Sequence, residues 1–207
     1  MPTTPSKTAG TSVVAWQEVA TQNRYISAEQ DVSTKWAASF AVRLGRKTST
    51  AFTAGWPNVR IDGCANASGG AGNHWIPLWT YQMAVGSGTI AANYVNSAAS
   101  AGDTNLVLQS TTNFAAGNLI FVGYNADATK YELARILVVT NGTTLALEDA
   151  LANAHVNNSL SYVTHQAEQV FPVLDLSAIS RVRVVIDNAG GGQSVFAEVI
   201  MTTFDSF

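Results

Sequence analysis

Apolar and polar side chains alternate along several long stretches near both ends of the chain. In "TKWAASFAVRLGR", which begins at Thr34, Trp36, Ala38, Phe40, Val42 and Leu44 share one face, and Lys35, Ser39 and Arg43 take the other. A period of two predicts a strand with one buried side. "PNVRIDG" continues the pattern with Val59 and Ile61 inward, and "HWIPLWTYQMAV" predicts a further strand after the flexible loop "SGGAGN". Pro77 has no N–H for a ladder, so that strand is expected at a sheet edge or with a bulge. Near the end, "SRVRVVIDN" places Val182, Val184 and Ile186 on one face, and the loop "AGGGQ" joins it to "SVFAEVIMTTF".

The middle of the chain follows a different pattern. Residues 86–104 are small and polar and predict a linker with one short strand. The short apolar runs "NLVLQS", "NLIFVGY", "YELARILVVT" and "TTLALED" then follow at close spacing. Asn141-Gly142 predicts a two-residue hairpin in which both turn residues take positive φ. "ALANAHVNN" is expected to form a single helical turn before "SLSYV" closes the unit. Several such strands predict a compact barrel or small sandwich.

Two strands cannot hold themselves together in water, so the C-terminal pair must join another sheet. Its long alternating strands match the N-terminal ones in length. The expected fold is therefore all-β: a β-sandwich, jelly-roll or Ig-like, from residues 12–86 and 165–207, carrying an inserted small β-barrel-like module at 90–164. A linear two-domain division is the alternative. Residues 1–11 are poor in apolar groups and are expected to form an extended arm, either free or ordered by a partner.

Composition narrows the chemistry. The chain has 207 residues, of which 47% are hydrophobic and 12% charged, with a formal charge of −3. The apolar share is ample for a packed core, while the charged share is about half the usual one. No basic stripe is present to displace counterions from phosphates, so no nucleic-acid partner is expected. The start lacks the basic-then-apolar order of a secretory signal, and no run approaches the roughly 18 apolar residues that span a bilayer. No membrane association is expected, and synthesis in the cytoplasm is. The single cysteine, Cys64, excludes an internal disulfide framework.

No catalytic constellation stands out. There is no G-x-S-x-G elbow. Cys64 and His74 lie ten residues apart across a glycine-rich loop, where a buried thiol and an ordinary loop histidine are the simpler reading. His155 and His165 have no carboxylate or histidine at ligand spacing. Glu148-Asp149 sits at a predicted strand end, and Asp103, Asp127 and Asp175 are scattered through loops. No catalytic residue, metal site or cofactor is expected. Aromatic residues are the one enriched set: Trp56, Trp75, Trp79 and Tyr81 lie close together in sequence. Trp56, Trp75 and Trp79 are candidates for a platform that stacks on sugar rings. Strict alternation puts Trp75, Trp79 and Tyr81 on one face, which is also how a sandwich core is filled, and core filling is the favoured reading.

Two segments resemble structural proteins of tailed-bacteriophage virions. "DVSTKWAASFAVRLGRKTSTAFTAGWPNVRIDG", with its "LGR" turn and "TAFTAG" connection, is similar to the sheet of phage head-auxiliary (decoration) proteins. "AGDTNLVLQSTTNFAAGNLIFVG", followed by "YELARILVVTNGTTLALEDALANAH", is similar to a small β module of many virion proteins. The resemblance implies a decoration or cement protein on the capsid exterior, bound to the major capsid protein and stabilising contacts between its subunits. It also implies self-association, as a trimer at local three-fold positions. Pro2, Thr3, Thr4, Pro5, Ser6, Lys7 and Thr8 are the candidate capsid-binding arm, since an extended segment can pair with a partner's strand edge. A carbohydrate-binding adhesin or tail-associated virion module is the alternative.

Overall fold

The long alternating stretches become the longest strands. The computed structural model describes residues 6–46, 57–66, 73–83, 92–124, 130–157, 161–165, 167–189 and 192–205. The first sheet contains β1 (Thr11–Val19), β4 (Lys35–Arg46), β13 (Ala167–Val170), β14 (Val173–Asp175) and β16 (Val195–Asp205). Its order is β1-β16-β4-β13, with β14 also on β4. The second contains β2 (Arg24–Ile26), β3 (Gln30–Asp31), β5 (Asn58–Cys64), β6 (Ile76–Gln82) and β15 (Arg181–Asp187). Here the order is β2-β15-β5-β6, with β3 also on β15.

These two antiparallel sheets share one core. Phe40, Val42, Leu44 and Val199 from the first sheet meet Val59, Ile61, Val182, Val184 and Ile186 from the second, all at 1% exposure or less. Burying each such side chain contributes about 1.5–3 kcal/mol. That gain selects the register, because a one-residue slip would turn every one of them outward.

The third sheet is built from the middle of the chain: β7 (Ala92–Tyr94), β8 (Asn105–Val107), β9 (Leu119–Tyr124), β10 (Glu132–Val139), β11 (Thr144–Leu147) and β12 (Ser161–Thr164). The order β7-β12-β9-β10-β11-β8 curls until its edges meet. Val95 bridges Leu108, and the Asn96 amide donates to the Val107 carbonyl at 2.8 Å. Leu106, Leu108, Phe114, Ile120, Val122, Ile136, Leu145 and Val163 fill the inside. Phe114 reaches it through a turn in which Asn113 and Gly117 take φ of 68° and 81°. At Gly117 any side chain with a Cβ would be strained.

Phe121, between inward-facing Ile120 and Val122, points out of the curled sheet and docks on the first one. Its ring lies 5.2 Å from Phe196, 5.2 Å from Tyr131 and 6.0 Å from Trp16. The approach requires Gly45 in β4, where a Cβ would stand 2.4 Å from the Phe121 ring.

Three local expectations need correction. Asn141 and Gly142 do not form a two-residue hairpin, for neither has positive φ. Instead Asn141 Oδ1 accepts from the amides of Thr143 at 2.8 Å and Thr144 at 2.9 Å. Thr111 pins the loop by donating its amide to the Gly142 carbonyl and its hydroxyl to the Asn141 carbonyl. The expected helical turn at 150–158 is not helix in its described part, because His155 forms a bridge with Ala99 and exchanges backbone hydrogen bonds with it. In β6, alternation breaks where Ile61 pairs with Trp79 and Asp62 with Pro77, leaving Leu78 as the extra residue of a bulge. Pro77 therefore lies both on an edge strand and at a bulge.

Candidate functional site

The outward faces of the two sandwich sheets differ in chemistry. On the first sheet, the pairs Glu198–Arg43, Ile200–Ala41, Thr202–Ser39 and Phe204–Ala37 alternate with the core pairs between β16 and β4. Val173 stands beside Ser39 on this outer side. Phe171 and Val173 are 61% and 68% exposed, and Trp36 is 37% exposed. Trp36 packs against Phe204 with ring centroids 6.2 Å apart. The Arg43–Glu198 ion pair, at 2.9 Å, separates this apolar patch from the aromatic junction beneath the curled sheet. Burial pushes the Glu198 carboxyl up, and Arg43 offsets only part of that.

The candidate arm begins beside this patch. Ser6 Oγ donates to Asp205, the Thr8 amide donates to the Thr203 carbonyl, and Lys7 bridges Phe204. Ser6, Lys7 and Thr8 thus lie along this chain's own β16. Met1, Pro2, Thr3, Thr4 and Pro5 lie outside the described residues, as does Trp56.

The bulge separates the other two candidate aromatics. Trp79 stacks on Tyr81 at 5.8 Å and 5°, and both pack with Leu78 against the sandwich core. Trp75 takes the opposite side, where Arg183 lies 4.3 Å and Arg181 5.4 Å from its ring centroid. Trp75 therefore shares no platform with Trp79 and Tyr81.

Around Trp75 the outer face of the second sheet is ionic. Asp62, 1% exposed, accepts from Arg60 Nε at 2.6 Å and Nη2 at 3.1 Å. It also accepts from Arg183 Nε at 3.3 Å and Nη2 at 3.2 Å. The Asp62 hydrogen bond holds the Arg60 guanidinium above its ordinary pKa. Arg181 is committed elsewhere, to Glu29, the Asn66 carbonyl and Asn73. Its Nη2 also lies 3.7 Å from the buried Cys64 Sγ. His74 is exposed in the strand approach to β6.

In the curled sheet, Glu132 collects His155 Nε2 at 2.7 Å and the amides of Ala152 at 2.7 Å and Asn153 at 3.0 Å. Burial pushes the Glu132 carboxyl up, but the hydrogen bonds from His155 and the two amides outweigh it and leave the pKa below its ordinary value. This pair joins residues 23 positions apart, a separation at which spacing gives no signal. The outward arginines did leave one: Arg60 and Asp62 alternate with Val59 and Ile61, as Arg181 and Arg183 do with Val182 and Val184. Glu148 and Asp149 are exposed, with Glu148 3.7 Å from Arg135. Among the described residues, no three His, Cys, Asp or Glu side chains are placed to hold a metal ion. No described helix is long and apolar enough to cross a membrane.

No protein-family model and no curated protein sequence matches the chain. Two solved structures are weakly similar in overall path. The SPBc2 prophage-derived protein YomS aligns over 99% of this chain and 98% of its own, at 10% identity and a TM-score of 0.33. A conserved carbohydrate esterase from Shiga toxin-encoding bacteriophage phi24B aligns over 98% of this chain and 90% of its own, at 13% identity and a TM-score of 0.28. The chain is thus an all-β protein with weak structural similarity to phage- and prophage-derived proteins, a likeness too low to carry any inference about activity.

Proposed function

We propose that the chain is a non-catalytic structural protein of a phage virion that decorates the outside of the head. It sits on the major capsid protein and stabilises contacts between neighbouring subunits, after synthesis in the host cytoplasm. The observation that supports this reading is the outer face of the first sheet, where Trp36, Phe171 and Val173 stand open to solvent around Phe204 and Ile200. An apolar sheet face rimmed by polar groups gains free energy when a partner covers it. A shell under internal pressure fails where subunits meet, so a bridging protein adds buried area that must be lost before they part. Self-association as a trimer at local three-fold positions multiplies weak contacts by raising their effective concentration.

Titration of the purified chain onto undecorated shells, followed by heating, tests the proposal. Saturable binding at fixed stoichiometry with a raised shell melting temperature is expected. Unchanged melting together with no stoichiometric binding would sink it.

A further inference from the structure

We propose that Arg60 and Arg183, gathered on Asp62 beside Trp75, form a binding site for the carboxylate of an acidic sugar. This goes beyond shell binding and does not depend on it. Two guanidiniums place their Nη2 atoms on the same Asp62 oxygen, at 3.1 and 3.2 Å. Asp62 is the one carboxylate that both arginines bond. Asp187, which also acts on Arg60, is held by Arg24 at 2.5 Å, and Glu29 is held by Arg181. Both arginines bond Asp62 through Nε and Nη2, and neither Nη1 has a protein partner among the described residues. The Arg60 side chain is 35% exposed and that of Arg183 22%, so solvent reaches them, while Asp62 at 2% serves as the buried anchor. The remaining Nη1–Nη2 edge of each guanidinium is a second fork, which matches a carboxylate in geometry as well as charge.

The neighbours favour a sugar over other anions. Thr80, the register partner of Arg60, and Gln82, that of Asn58, share this face and are exposed. They present uncharged hydrogen-bonding groups suited to hydroxyls, and Trp75 supplies an aromatic surface beside Arg183.

Calorimetric titration of the full chain at neutral pH and low salt tests the site with three probes of equal length: an oligoglucuronate, the cello-oligosaccharide that lacks its carboxylates, and an oligoglutamate. Binding of the oligoglucuronate alone is expected, weakening as salt rises. Arg60→Gln, which leaves Arg183 on Asp62, should still melt cooperatively, at a lower temperature than the parent chain, and lose at least about tenfold in affinity, with Arg60→Lys in between. No heat with oligoglucuronate, equal affinity in Arg60→Gln, or equally tight binding of the neutral oligosaccharide would overturn the proposal. Equally tight binding of oligoglutamate would overturn it too, in favour of an acidic protein surface. Failure of this titration would leave the shell-binding test untouched.

Discussion

Glu132 illustrates how one buried charge can organise a segment that has no regular structure of its own. Its two oxygens hold His155 and the amides of Ala152 and Asn153, fastening residues 152–155 against β10. Because its folded pKa lies below the ordinary glutamate value of 4.5, the ionised form contributes stability above that pH, and the contribution is lost as pH falls through the folded value. Replacing it by Gln removes an acceptor from a buried amide or from His155. Glu132→Gln is expected to cost about 2 kcal/mol at neutral pH. Urea unfolding should show the parent chain converging on the variant as the solution is acidified below about pH 4. A gap that persisted to pH 2 would refute the role given to its charge. Exposed Phe171 and Val173 behave differently. Substituting Asp at either should change the stability of the isolated chain by less than about 0.5 kcal/mol while weakening shell binding.

Among the elements, those legible in the sequence were the ones whose alternation ran long enough to declare a face. β4, β5, β15 and β16 each lay where the period of two placed them, except that Trp36, expected on the buried face of β4, is the extra residue of a bulge opposite Phe204 and Asp205 and stands on the outer side. β2, β3 and β14 are two or three residues long and largely exposed, so they carry no pattern to read and exist because β15 and β4 offer them edges. Pro77 announced the irregularity in β6, but not that the bulge would turn Trp75 away from Trp79. The Asp62 cluster needed the pairing of β5 with β15, which only the folded register supplies. The turn between β10 and β11 departs from the two-residue hairpin because Asn-Gly satisfies more than one geometry. There the Asn141 side chain, not a positive φ, closes the loop. Asn141→Ala is accordingly expected to cost about 1–2 kcal/mol by chemical unfolding. Gly142→Ala should be nearly neutral, since a Cβ there meets nothing within 4 Å. A large loss in Gly142→Ala would restore the two-residue hairpin.

For the whole molecule, the way the curled sheet is attached matters most. Ala92 in β7 and Thr164 in β12 are register partners, so the chain enters and leaves this sheet at adjacent points. The chief apolar contact with the sandwich is the cluster around Phe121 and Phe196. Removing residues 92–164, joining the flanks by a short glycine linker and changing Phe196 to Ser is expected to leave a sandwich that melts cooperatively. A remainder with no melting transition would mean that the sandwich depends on the curled sheet for its stability.

The pairing of Ser6 with Asp205 has a mechanical consequence. Antiparallel β1 and β16 begin their contact at that end, and the curled sheet docks at the other, near Phe196 and Gly45. Tension that draws Ser6 away from Asp205 peels the two strands apart one bond at a time, at low force. Tension between Ser6 and the curled sheet runs along the strands and must break the whole β1–β16 ladder at once. The same joint therefore yields when peeled and resists when sheared, and the direction of loading decides which.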